Sequence, residues 1–130
     1  PGPLNKVASG GELSRISLAL QVVATDTTIS PTMIFDEVDV GIGGGVAEIV
    51  GDLLATLGAR SQVLVVTHQA QVAAKGKQHL LITKDGEDEV RSALSYINDD
   101  DRVQEIGRMI GGAKLTDSTL AHAREMLEGI

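Results

Sequence analysis

Apolar residues recur along this chain in two rhythms. In the first stretch they fall at Leu13, Ile16, Leu20 and Val23, the three- and four-residue spacing of a helix that packs on one side. Ser9 can cap that helix, and Glu12 stands three residues later, as a reciprocal capping arrangement requires. Residues 1–8 read as an extended lead-in. After Pro31 the rhythm changes. Residues 32–35 form a short apolar run that stops at two carboxylates, Asp36 and Glu37, which predicts a buried strand with acids at its C-terminal end. Gly41, Gly43, Gly44 and Gly45 then make a turn. The helical rhythm returns at Val46, Ile49, Val50, Leu53, Leu54 and Leu57, which predicts one buried helix face made of these six residues.

Residues 62–67 form a second apolar run with His68 directly behind it, and residues 69–75 predict a short helix. Residues 79–84 and 89–96 read as a hairpin across Asp85-Gly86-Glu87-Asp88. Two helices are expected to close the chain. One follows Asp99-Asp100-Asp101 with Val103, Ile106 and Ile110 inward, and the other starts near Thr116 with Leu120, Ala123 and Leu127 inward. Strand, helix, strand, helix at this spacing predicts an α/β fold with a mainly parallel sheet flanked by helices, followed by a C-terminal hairpin and helices. A continuous apolar strand such as Val63-Leu64-Val65-Val66 is expected to be buried on both faces. In open parallel sheets ligands bind beyond the carboxyl ends of the strands. Asp36, Glu37 and His68 all fall there.

Composition narrows the picture. The chain has 130 residues, enough for one domain or part of one, and residues 1–130 are read as a single lobe of something longer, since Pro1-Gly2-Pro3 resembles no natural start. Hydrophobic residues make up 42% and aromatics only 2%, so the core must be aliphatic. The net charge of −7 disfavours nucleic-acid binding over the whole surface. Arg15, Arg60, Lys75, Lys77 and Arg91 are scattered, as on an ordinary solvated surface. The absence of cysteine excludes a disulfide scaffold and a thiolate metal site. The longest mostly apolar stretch, residues 16–24, is too short for a membrane span, and the expected location is the cytoplasm.

Three sets of residues are candidates for chemistry. At Ser9-Gly10-Gly11-Glu12 a helix N-terminus offers free N–H groups and the positive end of its dipole, two glycines let those groups approach an anion, and Ser9 adds a hydroxyl. The same residues also fit an ordinary capped helix after a glycine turn. A helix end contributes roughly 0.3–2 kcal/mol toward an anion, whereas micromolar affinity needs about 8 kcal/mol. Such a loop must therefore supplement another phosphate site. At the strand end, one of Asp36 and Glu37 can hold Mg²⁺, usually through water, while the other orients or deprotonates an attacking water. A solvated acidic turn is the plain alternative. His68 could hydrogen-bond a terminal phosphate, or be satisfied by local backbone. His79 and His122 lack metal-ligand spacing and are expected to be structural or exposed. A Walker A loop is missing, since Gly76-Lys77 is followed by Gln78.

Taken in order, these pieces resemble the motif series of ABC-type ATPases. Ser9-Gly10-Gly11-Glu12 resembles the signature motif, Thr32-Met33-Ile34-Phe35-Asp36-Glu37 the Walker B strand, Val38-Asp39-Val40 the D-loop, and His68 the switch histidine. The flanking residues Lys6-Val7-Ala8, Leu13-Ser14-Arg15, Val38-Asp39-Val40-Gly41-Ile42 and Val66-Thr67-His68-Gln69-Ala70-Gln71-Val72-Ala73 are similar to the RecN family, the SMC-like double-strand-break repair ATPases. The similarity runs from Pro3 to about Leu127. One departure is Gln69-Ala70, where Leu-Pro is expected; with His68 kept, it is not expected to affect chemistry.

The resemblance implies the C-terminal lobe of an ATPase head, which would pair with its own N-terminal Walker A lobe across a long coiled coil. Two heads would form a homodimer around two ATP molecules. Asp36 would help hold Mg²⁺, Glu37 would be the catalytic base and His68 would contact the γ-phosphate. Asp39 would communicate across the dimer, and Ser9, Gly10, Gly11 and Glu12 would grip the ATP of the partner head. DNA would be engaged by the full-length protein in break repair and recombination, near the nucleoid. Two alternatives remain open on sequence: another SMC-like or Rad50-like head, or a non-catalytic docking module using residues 99–130.

Overall fold

In a computed structural model the residues described are 32–36, 38–87, 89 and 91–128. The described elements, in order, are β1 (Thr32–Asp36), α1 (Gly44–Gly58), β2 (Gln62–Val66), α2 (Ala70–Ala73), β3 (His79–Asp85), β4 (Arg91–Ile97), α3 (Asp99–Gly111) and α4 (Asp117–Glu128). The expected helix beginning at Ser9 lies outside the described residues. The chain divides into two compact units, the first ending at Lys75 and the second starting at Gly76.

In the first unit β1 and β2 run parallel, with Thr32 opposite Gln62 and Asp36 opposite Val66. Parallel neighbours need a long crossover, which α1 supplies. Met33, Phe35, Val63 and Val65 alternate onto the inner face, where they join Val38, Val50, Leu54, Leu57 and Val72 in one apolar core, aliphatic apart from Phe35. Fully burying a side chain such as Leu54 or Phe35 contributes about 1.5–3 kcal/mol.

Two sequence expectations are corrected here. Burial on both faces does not hold for the strand pair. Ile34, Leu64 and Val66 stay exposed, so the strands alternate inside and outside. The apolar run reports what each face tolerates, and only one face is covered among the described residues. The buried face of α1 is also rotated from the predicted one. Ala47, Val50, Gly51, Leu54 and Leu57 are buried, while Val46 and Ile49 stand 50% and 60% exposed. The reason is close approach. A Cβ at Gly51 would come within 3.1 Å of the Gln71 carbonyl oxygen and 2.8 Å of the Lys75 side chain. The tightest contact requires the smallest residues, so the inward face is not the most hydrophobic one.

In the second unit β3 and β4 form an antiparallel hairpin, with His79 opposite Ile97 and Asp85 opposite Arg91. Each strand therefore runs one residue further at its C-terminal end than the alternation predicts, and β4 starts at Arg91, two residues later. Helix α3 opens with Asp99, Asp100 and Asp101 in its first turn, where carboxylates oppose the positive end of the helix dipole. Helix α4 is capped by Thr116, whose hydroxyl accepts a hydrogen bond from the Thr119 N–H at 3.1 Å. Ile106 and Ala123 are fully buried, as the sequence predicts; Val103, Ile110, Leu120 and Leu127 are half-buried.

Candidate functional site

Because β1 and β2 are parallel and in register through Asp36 and Val66, the segments that leave them emerge at the same edge of the sheet. Asp36 is the last residue of β1 and is exposed. Thr67 and His68 follow β2 directly, and His68 is 72% exposed, so its imidazole reaches solvent at that edge. Asp36 and His68 are thus brought together by topology alone. Ser9, Gly10, Gly11, Glu12 and Glu37 lie outside the described residues.

Asp39 sits in the turn after β1 and is only 1% exposed. A buried carboxylate must be hydrogen-bonded or it costs several kcal/mol. Its Oδ2 accepts a hydrogen bond from the Thr67 hydroxyl. The same oxygen lies 3.9 Å from His68 Nδ1, close enough for attraction when the imidazole is charged but beyond hydrogen-bond reach. The contact is therefore an anchor for the loop first and an influence on His68 second.

Gln69 completes the arrangement. Its carboxamide Nε2 donates to the backbone oxygens of Asp39 and Ile42, each at 2.9 Å. Its backbone N–H donates to the Thr67 hydroxyl oxygen at 3.0 Å. Between those two carbonyls Gly41 adopts φ +76°, which a residue with a Cβ rarely takes. That reversal lets both oxygens converge on one amide group. Sequence reasoning missed Thr67 and Gln69. The available signal was their position, one on either side of a strand-end histidine.

The donor set can be weighed against a metal. Among the described residues no group of three or more His, Cys, Asp or Glu side chains could hold an ion. One exposed carboxylate at a sheet edge suits Mg²⁺ when phosphates and water supply the remaining ligands. Asp36 fits that limited role. Two of the scattered basic residues are engaged with carboxylates. Lys75 is paired with Asp52 at 2.9 Å and Glu48 at 3.9 Å, and Arg91 with Glu89 at 3.4 Å.

His79, on β3 in the second unit, is half-buried, and its Nδ1 is buried with no hydrogen-bond partner among the described residues. Burial and the Arg102 guanidinium hold its pKa below the ordinary value, against the opposing pull of Glu105. It is a packed residue, and His122 is exposed, as expected for both.

The parallel strand pair with its crossover helix, and the hairpin and two helices that follow in sequence, make an α/β fold. A solved structure described under ATP-driven dimerization and DNA-stimulated activation of SMC ATPases matches 72% of this chain and 56% of that chain, with a TM-score of 0.52 and 22% identity. No protein-family model matches the chain. The chain is 49% identical over 129 residues to the DNA repair protein RecN of Xylella fastidiosa, covering 98% of this chain and 23% of that protein. It is 48% identical over 128 residues to RecN of Vibrio cholerae, covering 96% and 23%, and 50% identical over 126 residues to RecN of Mycobacterium leprae, covering 97% and 21%. The chain belongs to the RecN family and corresponds to its C-terminal region. It spans less than a quarter of the length of these relatives.

Proposed function

We propose that this lobe carries half of an ATP-hydrolysing site and works in a full-length RecN-type protein acting in DNA double-strand-break repair and recombination. The observation that supports it best is the convergence of Asp36 and the exposed His68 at the carboxyl edge of one parallel strand pair. Open α/β sheets bind ligands at that edge. Asp36 would help hold the Mg²⁺ that accompanies ATP. Glu37, next in sequence, would orient and deprotonate the attacking water. His68 would donate to the γ-phosphate. The P-loop that cradles the phosphates would come from an N-terminal lobe of the same protein, connected through a coiled coil.

Ser9, Gly10, Gly11 and Glu12 would cover the ATP of a second head, so that a homodimer encloses two nucleotides. Asp39, buried on its own Thr67, would fix the loop through which one head senses the other. DNA contact belongs to the full-length protein, whose place is the cytoplasm, near the nucleoid. Among the described residues no helix is long and apolar enough to cross a membrane. The test is Glu37→Gln in the full-length protein. ATP binding is retained and steady-state hydrolysis falls by about 10²–10⁴-fold. Near-normal turnover would remove Glu37 from the role of base.

A further inference from the structure

We infer that Gln69 is a positioning residue for hydrolysis, resting on the ATPase reading above: its side-chain amide locks the loop after β1 onto the loop after β2. The two loops carry Asp36 and His68 at their roots, and nothing in the strand pairing itself fixes them beyond Asp36 and Val66. The residues beyond that pair are instead held by a small closed network. Gln69 Nε2 donates one hydrogen to the Asp39 oxygen and one to the Ile42 oxygen, both at 2.9 Å. An amide NH₂ has two hydrogens, so its donor capacity is fully used. In return the Asp39 carboxylate accepts from Thr67, and Thr67 accepts from the Gln69 N–H at 3.0 Å. The two loops are thus joined by one side-chain pair, Thr67 with Asp39, and by one side-chain amide on two backbone oxygens.

Gln69 is partly buried and its two acceptors are backbone carbonyls of a turn. A leucine at this position would fill the space and leave both oxygens without this donor. The cost falls on the geometry of the turn. Gly41, with φ +76°, allows the turn to open in another direction once the clamp is gone. A shift of about 1 Å in groups that orient a reacting phosphate and water costs up to about a hundred-fold in rate. The amide touches neither metal nor nucleotide, so the effect reaches chemistry only through the loops.

The experiment uses the full-length protein with Gln69→Leu and Gln69→Glu, Mg·ATP as the probe, and turnover expressed per bound nucleotide. Both variants keep ATP stoichiometry and a KM within about two-fold, and both lose between about ten-fold and a hundred-fold in kcat near pH 8. The ratio of Gln69→Glu to wild-type turnover then rises as pH falls from about 8 to about 6, because a protonated carboxyl can donate to one of the two carbonyls. The Gln69→Leu ratio stays flat. Wild-type kcat in either variant overturns the proposal. So does a loss of bound ATP or a raised KM in place of a lower kcat, since either assigns Gln69 a role in folding or binding. If wild-type protein hydrolyses no ATP at all, the ATPase reading itself fails, a result separate from any difference among the variants.

Discussion

Replacing Thr67 with valine keeps the shape of the side chain and removes the hydroxyl on which Asp39 depends. Asp39 is 1% exposed, and its carboxylate accepts from that hydroxyl. A hydrogen bond to a charged group contributes about 1.5–3 kcal/mol, and the Gln69 N–H, which donates to the same oxygen, loses a further bond of about 1 kcal/mol. The extra methyl of valine offsets about 0.8 kcal/mol if it is buried. The net cost is about 2–3 kcal/mol, concentrated where the two loops meet. Hydrogen–deuterium exchange of the full-length protein reads this locally, as the free energy of opening in peptides spanning residues 62–75. The same change made on an Asp39→Asn background costs about 1–2 kcal/mol less, because no buried charge is left behind. A loss below about 0.5 kcal/mol for Thr67→Val in the native background would refute the reasoning. It would mean that the carboxylate is satisfied without the hydroxyl.

Two further outcomes follow from side-chain environment. His68→Ala should lower ATP hydrolysis in the full-length protein by about a hundred-fold, the scale of losing one donor to a developing negative charge, while leaving the melting temperature nearly unchanged because the ring is 72% exposed; a large fall in melting temperature with unaltered turnover would reverse the assignment. Burial and Arg102 depress the His79 pKa below about 6.5, so the unfolded chain takes up a proton before the folded one does. Stability is therefore level above about pH 6.5 and declines as the pH drops from there toward the lowered folded value. Thermal midpoints across that window should show the decline in the native protein and its reduction in His79→Gln.

Much of the architecture was legible in the sequence, because β1, α1, β2 and the hairpin each follow the periodicity of their apolar residues. The carboxyl-edge placement of Asp36 and His68 followed from the α/β order alone. What escaped has physical reasons. The inward face of α1 is set by where Gly51 lets Gln71 and Lys75 approach, and a hydrophobic count is blind to closeness. Within β2 the outward Leu64 and Val66 are as apolar as the inward Val63 and Val65, so the run Val63-Leu64-Val65-Val66 cannot tell which side is covered. Gln69 looked like an inert departure from the family pattern. Its function depends on two carbonyls that lie 27 and 30 residues earlier, a distance no local spacing reveals.

The central claim is that each ATP site takes its water-activating edge from one head and its Ser9-Gly10-Gly11-Glu12 tip from another. Mixing two inactive full-length variants tests it most directly. Ser9→Arg spoils the tip, and Glu37→Gln spoils the edge. In a mixed pair one site combines the intact edge of the first protein with the intact tip of the second. Random pairing makes half of the dimers mixed with one sound site in each, so hydrolysis should return to about a quarter of the native rate. A mixture as inactive as its separate components would contradict the account.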